Sequence, residues 1–430
     1  MTTVAPDTIL TADATALPRV LAPRDVGNGL APHLNRLGLP PYRGGKGLLI
    51  PTMHASGLTG RGGAAFPMAR KLDAVLHARG RAVVVANGAE GEPAAAKDKQ
   101  LLWSNPHLVL DGLQLAAEAV HANEAYLYVH RNASLVSVLR RALDERASRR
   151  GVDRLKVTIV EAPARFIAGQ ESAVVNRIEG GPALPRFSTR GVYEAGVRGR
   201  PTLVQNVETL AHLALVARFG ADWFRAVGTV DEPGTMLLSV RSATGAVHVA
   251  EASIGTPMRD VLGADAAGSA VLVGGYHGAW LAPEHAATIA LSNLALRPHG
   301  AALGAGVLAA LPQDRCGVRE TARVVRYLAH ESAGQCGPCL NGLPRIATAL
   351  ASLAQPRANV AARSDLERWS GLVERRGACH HPDGTVRLVR SALLTFSGEL
   401  DRHARGLCTG RSAAGFLPTP GAVPVESSWN

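Results

Sequence analysis

The chain of 430 residues is too long for one ordinary core, and at about 150 residues per domain it divides into two or three. Hydrophobic residues make up 47% of it, which excludes disorder as the dominant state, and the absence of any ~18-residue apolar run without a charge argues against direct membrane insertion. The formal charge is +11, yet the basic residues are scattered and aromatics reach only 4%, which argues against nucleic acid and leaves attraction to an acidic protein partner open.

Residues 1–18 lack both a basic start and a long apolar block, so no secretory signal is expected. In such a chain five cysteines point to metal or redox chemistry rather than a disulfide framework. Residues 1–50 are punctuated by Pro and Gly and yield no assignment. From there the pattern predicts a strand over 81–86, a helix over 107–121 and a strand over 125–130. An amphipathic helix over 134–148 and a strand over 155–160 follow. Strands alternating with helices predict an α/β layer with parallel pairs. Helices are predicted over 169–178 and 202–219. Short strands over 235–249 and 271–275 predict a small α+β module at about 232–290. The remainder predicts helices over 320–328, 342–353, 364–375 and 385–405.

Five motifs carry the chemistry. Gly57 to Pro67 is a glycine-rich loop whose backbone N–H groups can approach a phosphate, with Arg61 and Lys71 as nearby cations. It has neither Walker nor dinucleotide-fingerprint spacing. Asn87-Gly-Ala-Glu90-Gly-Glu92 follows the first strand, at the strand end where α/β sheets bind ligands. Phe166 to Ser172 sets Gly169 and Glu171 at a helix start. Gln205-Asn206 supplies amides. Cys336-Gly-Pro-Cys339 with Cys379 is the most specific, because two spaced thiols and a distant third suit zinc or an iron–sulfur cluster.

In this order the motifs resemble the FMN- and NADH-binding flavoprotein subunit of respiratory complex I (NADH:quinone oxidoreductase) and the flavin subunits of related hydrogenases and formate dehydrogenases. The resemblance spans about 55–410. It implies an α/β flavin domain, a small α+β module of the β-grasp (soluble-ligand-binding) type, and a C-terminal helical bundle with an iron–sulfur site. The corresponding division is an extension at 1–50, the FMN-binding domain at 51–228, the β-grasp module at 229–300, the helical domain at 301–415 and a tail at 416–430. Carried over by motif, Gly60, Arg61, Gly62, Gly63 and Lys71 surround the flavin phosphate. Asn87, Glu90, Glu92, Gly169, Glu171 and Asn206 lie at the flavin ring and nicotinamide, with Glu92 and Glu171 in the catalytic role. Cys336, Cys339 and Cys379 hold iron.

The departures from that pattern are specific. Ala89 replaces an acidic residue, Phe166 a tyrosine and Gln170 a glutamate. Phe66 remains of the aromatic clamp on NADH, while Leu72 and Ala74 replace two rings and Ser188 and Gly191 replace a lysine and a phenylalanine. Ala333 stands where the first cluster cysteine belongs. Cys316 is the preferred fourth ligand of a four-iron cluster on nearness in sequence; Cys408, His380 and His381 are the alternative ligands, and a three-iron cluster with no fourth ligand is the other outcome.

The implied function is cytoplasmic electron transfer through FMN and one cluster, from a reduced donor to an iron–sulfur or membrane partner. A ferredoxin-like or thioredoxin-fold 2Fe-2S protein is the expected partner, and any membrane association would run through a partner. NAD is a candidate ligand. Two rivals stand beside this reading: an NADH dehydrogenase subunit with altered nucleotide contacts, and a non-enzymatic scaffold that has lost the flavin.

Overall fold

Val83–Asn87 (β1) forms the middle of the first layer, its valines and Ala86 buried without exposure, as a strand covered on both faces requires. The computed structural model describes residues 19–22, 27–357, 361–412, 414–421 and 429; the reading of residues 1–18 lies outside them. β1 pairs in parallel with Glu124–His130 (β2) and with Thr202–Asn206 (β4), and Val157–Ala162 (β3) completes the order β3-β2-β1-β4. Parallel neighbours need crossovers, here the Lys97–Ser104 and Pro106–Ala119 helices after β1 and the Ala133–Ala147 helix after β2.

The Pro106–Ala119 helix packs against the Val207–Arg225 helix so closely that a Cβ on Gly112 would lie 1.9 Å from the Leu210 carbonyl oxygen. The second helix was expected to begin at residue 202. Instead Thr202–Asn206 is a strand that turns directly into the helix, capped by the Asn206 side chain accepting from Glu208 N. No Gly or Pro separates the two, so the apolar run gives no sign of the boundary.

A second sheet of mixed direction follows. It comprises Thr235–Arg241 (β5), Val247–Ser253 (β6), Val271–Val273 (β7), Ala279–Leu281 (β8) and Val307–Ala310 (β9), in the order β6-β5-β9-β7-β8. β9 is its middle strand, parallel to β5 and antiparallel to β7. Helices complete the chain: Gly317–His330, Leu343–Leu353, Ala361–Val373, His381–Thr395 and Ser397–Ala404. The last two were expected as one helix. They part at Phe396, whose ring is wedged between Trp280, 5.2 Å away, and Gly317, where a Cβ would meet it at 2.2 Å. The molecule is thus a mixed α/β structure with a parallel sheet and flanking helices. Among the described residues no helix is long and apolar enough to cross a membrane.

Candidate functional site

A cleft of about 890 Å³ opens at the carboxyl ends of β1 and β4, where side chains of all three regions converge. Asn87 and Asn206 stand in register at those strand ends. Asn87 Nδ2 donates to Gly169 O at 2.8 Å and holds the 166–169 turn over the cleft. Asn206 Nδ2 donates to Asp98 Oδ2 at 2.7 Å. Gly62 and Gly63 line the same wall, Gly63 at φ +116°; a Cβ on Gly62 would lie 3.0 Å from Asn206 Cβ. Gly304 lies against Gly63 and nearly touches Gly274, a Cβ on Gly304 meeting the Gly274 oxygen at 2.5 Å. A wall built of bare backbone suits a flat ring and its phosphate, so this cleft fits FMN.

Glu90 and Glu92 both line the cleft and are both buried. Burial pushes Glu92 up to about 8, against the hydrogen bonds it accepts from Tyr276 N at 2.7 Å and Ala94 N at 3.3 Å. Burial, then the neighbouring Asp98, push Glu90 up to about 7. Glu92 therefore holds a proton at neutral pH beside the space a redox ligand would fill.

Behind them lies a group that the sequence pattern does not reveal. Lys97, 2% exposed, places Nζ 2.8 Å from Asp98 Oδ1 and 2.7 Å from Glu208 Oε2. Burial opposes the ammonium charge, but the two carboxylates outweigh it and raise the lysine above its usual range. Lys97 and Asp98 line the cleft. Their signal is faint, a lysine and an aspartate at a helix start that read as solvated polar residues.

Four of the residues assigned to the flavin site are engaged in holding the protein together, and of these Arg61 alone also lines the cleft. The Arg61 guanidinium is buried and fully engaged, donating to Thr235 O at 3.1 Å, Thr59 Oγ1 at 2.8 Å and Pro233 O at 3.3 Å. It fastens the glycine loop to the second sheet from a position on the cleft wall. Gly60 closes that loop through a bond from its N–H to Phe66 O. Lys71 pairs with Glu171 and donates to Val204 O at 2.7 Å, and neither Lys71, Glu171 nor Gly60 lines the cleft. Gln170, in the place of a glutamate, caps the Glu171–Ile178 helix by accepting from Ser172 N and Ala173 N. Arg61, Gly62, Gly63, Asn87, Glu90, Glu92, Gly169 and Asn206 are brought together at the cleft.

The three cysteines of the motif also converge. Cys336 precedes a short π-helical turn, Pro338–Gly342, that carries the buried Cys339. Burial pushes the Cys339 thiol up, and Cys336 and Cys379 add to this as nearby negative charges. Such a trio is strained as thiolates and relieved by a cation, and it fits an iron–sulfur cluster bound through three thiolates.

Cys316 does not join them. It caps the start of the Gly317–His330 helix, about 21 Å long at 1.5 Å per residue, and it neighbours Cys408. The cysteine trio lies at the other end, where His381 Nε2 donates to Leu328 O at 2.8 Å. The fourth-ligand assignment to Cys316 therefore fails, because the helix holds the two ends apart. His381 is engaged at both ring nitrogens, Nδ1 accepting from His277 Nε2 at 3.0 Å. His380 is fully exposed beside Asp383.

Cleft and cysteines are joined by a short run of rings. Phe166, on the cleft wall, lies 4.7 Å from His277 and 5.6 Å from His381, centroid to centroid. His381 is two residues from Cys379.

Comparison with known proteins agrees with this layout. Residues 53–215 match the Nuo51 FMN-binding domain (Complex1_51K), and 319–403 match the NADH-ubiquinone oxidoreductase-F iron-sulfur binding region. The chain is 30% identical over 380 residues to the F-type NADH-quinone oxidoreductase subunit of Streptomyces coelicolor, covering 83% of each. It is 28% identical to the mitochondrial NADH dehydrogenase [ubiquinone] flavoprotein 1 of Dictyostelium discoideum, covering 83% of this chain and 79% of that one. The crystal structure of an NAD+-reducing [NiFe]-hydrogenase in the H2-reduced state superposes with TM-score 0.75 at 28% identity; the match covers 83% of this chain and 62% of that one. On these grounds the chain belongs to the family of F-type NADH-quinone oxidoreductase subunits.

Proposed function

We propose that this chain is an NADH-linked electron-transfer subunit that binds FMN in the cleft and an iron–sulfur cluster on Cys336, Cys339 and Cys379. The observation that carries the reading is the contact run Phe166–His277–His381, which links a glycine-walled cleft to the three thiols. Bound FMN would accept a hydride as an electron pair and release electrons singly to the cluster. The chain's own part is to position and to hold protons. Asn87 and Asn206 fix the cleft's inner edge, and Glu92, buried in the cleft wall, would hold a proton within the site when the ring is bound.

The second sheet, with its parallel β5–β9 pair, is read as a β-grasp module, and the helices from 317 to 404 as the bundle that carries the cluster. The division at 51–228, 229–300 and 301–415, flanked by 1–50 and 416–430, needs one change: the boundary at 300 would part β9 (Val307–Ala310), the middle strand of the second sheet, from the rest of the module, so it moves past β9. The excess of positive charge favours an acidic partner, and a thioredoxin-fold 2Fe-2S protein is the expected acceptor. A cytoplasmic setting, with membrane association through a partner, completes the proposal.

The nucleotide is held more weakly than the family pattern implies. Leu72 is buried in the core, and Phe66, Ser188 and Gly191 do not line the cleft. Loss of ring stacking costs about 1 kcal/mol per pair, hence several-fold in affinity. The test is anaerobic purification, a visible spectrum and stopped-flow reduction by NADH. Flavin bands with a broad cluster shoulder, bleached by NADH at well above micromolar concentration, are expected. A colourless protein overturns the proposal in favour of a scaffold.

A further inference from the structure

The five cysteines fall into two groups, and the second has no part in the electron path described above. Cys316, Glu399, His403 and Cys408 each direct a ligand atom into one spot, and those four atoms lie within 4.8 Å of one another. Cys316 Sγ is 3.5 Å from His403 Nε2, and His403 Nε2 is 3.3 Å from Glu399 Oε1. In a tetrahedral zinc site with bonds of 2.0–2.3 Å, ligand atoms stand about 3.3–3.8 Å apart. We propose that these four residues form a structural zinc site, separate from the iron–sulfur cysteines, that clamps the C-terminal segment to the start of the Gly317–His330 helix.

The surroundings are those of a built site. His403 is wholly buried, and its Nδ1 donates to Leu353 O at 2.8 Å. That bond fixes the tautomer, so Nε2 carries its lone pair toward the two thiols, the orientation a metal-bound histidine needs. Cys316 Sγ accepts from the Arg319 backbone N–H at 3.4 Å at the helix N-terminus, which fixes the direction of its lone pairs. Glu399 is steadied by Thr409 N, which donates to Oε1 at 2.8 Å. Glu399 and His403 are four residues apart on the Ser397–Ala404 helix and so share a face.

The backbone also closes on the site. Gly410 passes so near that a Cβ there would lie 2.8 Å from Cys316 Cβ, and Arg411 N donates to Asp314 O at 2.9 Å. Two thiols and an imidazole with one carboxylate are a donor set for zinc rather than for magnesium or calcium. Zinc binding would expel the two thiol protons into solvent, so the clamp forms with proton release.

The experiment is elemental analysis of the full chain, purified without air, beside Cys408→Ser, His403→Gln and the double variant Cys336→Ser/Cys339→Ser. About one zinc per chain is expected in the parent. It should fall to near zero in Cys408→Ser and His403→Gln with iron and flavin content unchanged, and it should persist in the double variant while iron is lost. Zinc that leaves with Cys336 and Cys339, or iron that leaves with Cys408, overturns the assignment. So does a Cys316–Cys408 disulfide found by peptide mapping in the protein as purified. Should the Cys408 and His403 variants fail to fold, cobalt substitution of the parent decides: thiolate-to-cobalt charge-transfer bands with intense d–d bands support the site, and their absence overturns it.

Discussion

Arg165 Nε lies 2.8 Å from Glu331 Oε2, a buried ion pair that joins the turn over the cleft to the segment leading into Cys336. The same carboxylate oxygen accepts from Phe166 N at 2.8 Å, and Arg165 also donates to His330 O at 3.1 Å. Flavin-side and cluster-side loops are thus set by one carboxylate.

Replacing it should be costly. Glu331→Ala removes the carboxylate opposite a buried guanidinium and should destabilise the protein by about 3–5 kcal/mol, Glu331→Gln by less. Calorimetry of the two variants measures the difference, and slower electron passage from flavin to cluster should accompany it in Glu331→Gln. An unchanged melting temperature in Glu331→Ala would contradict the role assigned to the pair.

Flavin retention should depend on Gly62. A methyl group there meets Asn206 Cβ at 3.0 Å and displaces an amide of the cleft's inner edge. Gly62→Ala should weaken FMN about tenfold, and Gly62→Val should abolish its retention through gel filtration. Flavin fluorescence released on denaturation reports both.

Stability should fall as the pH rises toward 8. Glu92 is raised in the folded chain from its ordinary 4.5 to about 8, and Glu90 to about 7. The folded state therefore holds protons that the unfolded state has released, and stability present below about 4.5 is lost as the pH climbs through those folded values. The Glu92 contribution amounts to a few kcal/mol. Melting curves between pH 5 and 8.5, run on the flavin-free protein, should show a downward slope that Glu92→Gln reduces and Glu90→Gln/Glu92→Gln flattens.

The cluster should accept a fourth thiolate. Ala333 is only partly buried, three residues before Cys336 in the loop where the family carries its first cysteine. Ala333→Cys should raise the iron retained after exposure to air and sharpen the reduced cluster's electron paramagnetic resonance signal. If neither iron content nor spectrum responds, the loop does not face the cluster.

What could be read from the chain depended on how local its cause was. β1 and its Asn87 were legible because an apolar run ends at Asn-Gly, and the cysteine pair because its spacing is itself the geometry. The fate of Arg61 was not: its acceptors, Pro233 O and Thr235 O, lie more than 170 residues away. Lys97, Asp98 and Glu208 were missed for the same reason, since only the folded chain shows that three charges are buried together. Thr202–Asn206 reads as helix because no breaker separates strand from helix. Cys316 was misplaced because nearness in sequence ignores the length of a straight helix.

The pairing of Asn87 with Asn206 sets rules for how the chain can change in length. A residue added within β1 or β4 would shift one strand past the other and turn alternate side chains to the opposite face, so the two amides could no longer stand side by side. An insertion among the exposed residues 186–190 would leave that alignment alone. Relatives that have gained or lost residues should therefore carry those changes in such loops, and the spacing from each amide to its own strand should stay constant.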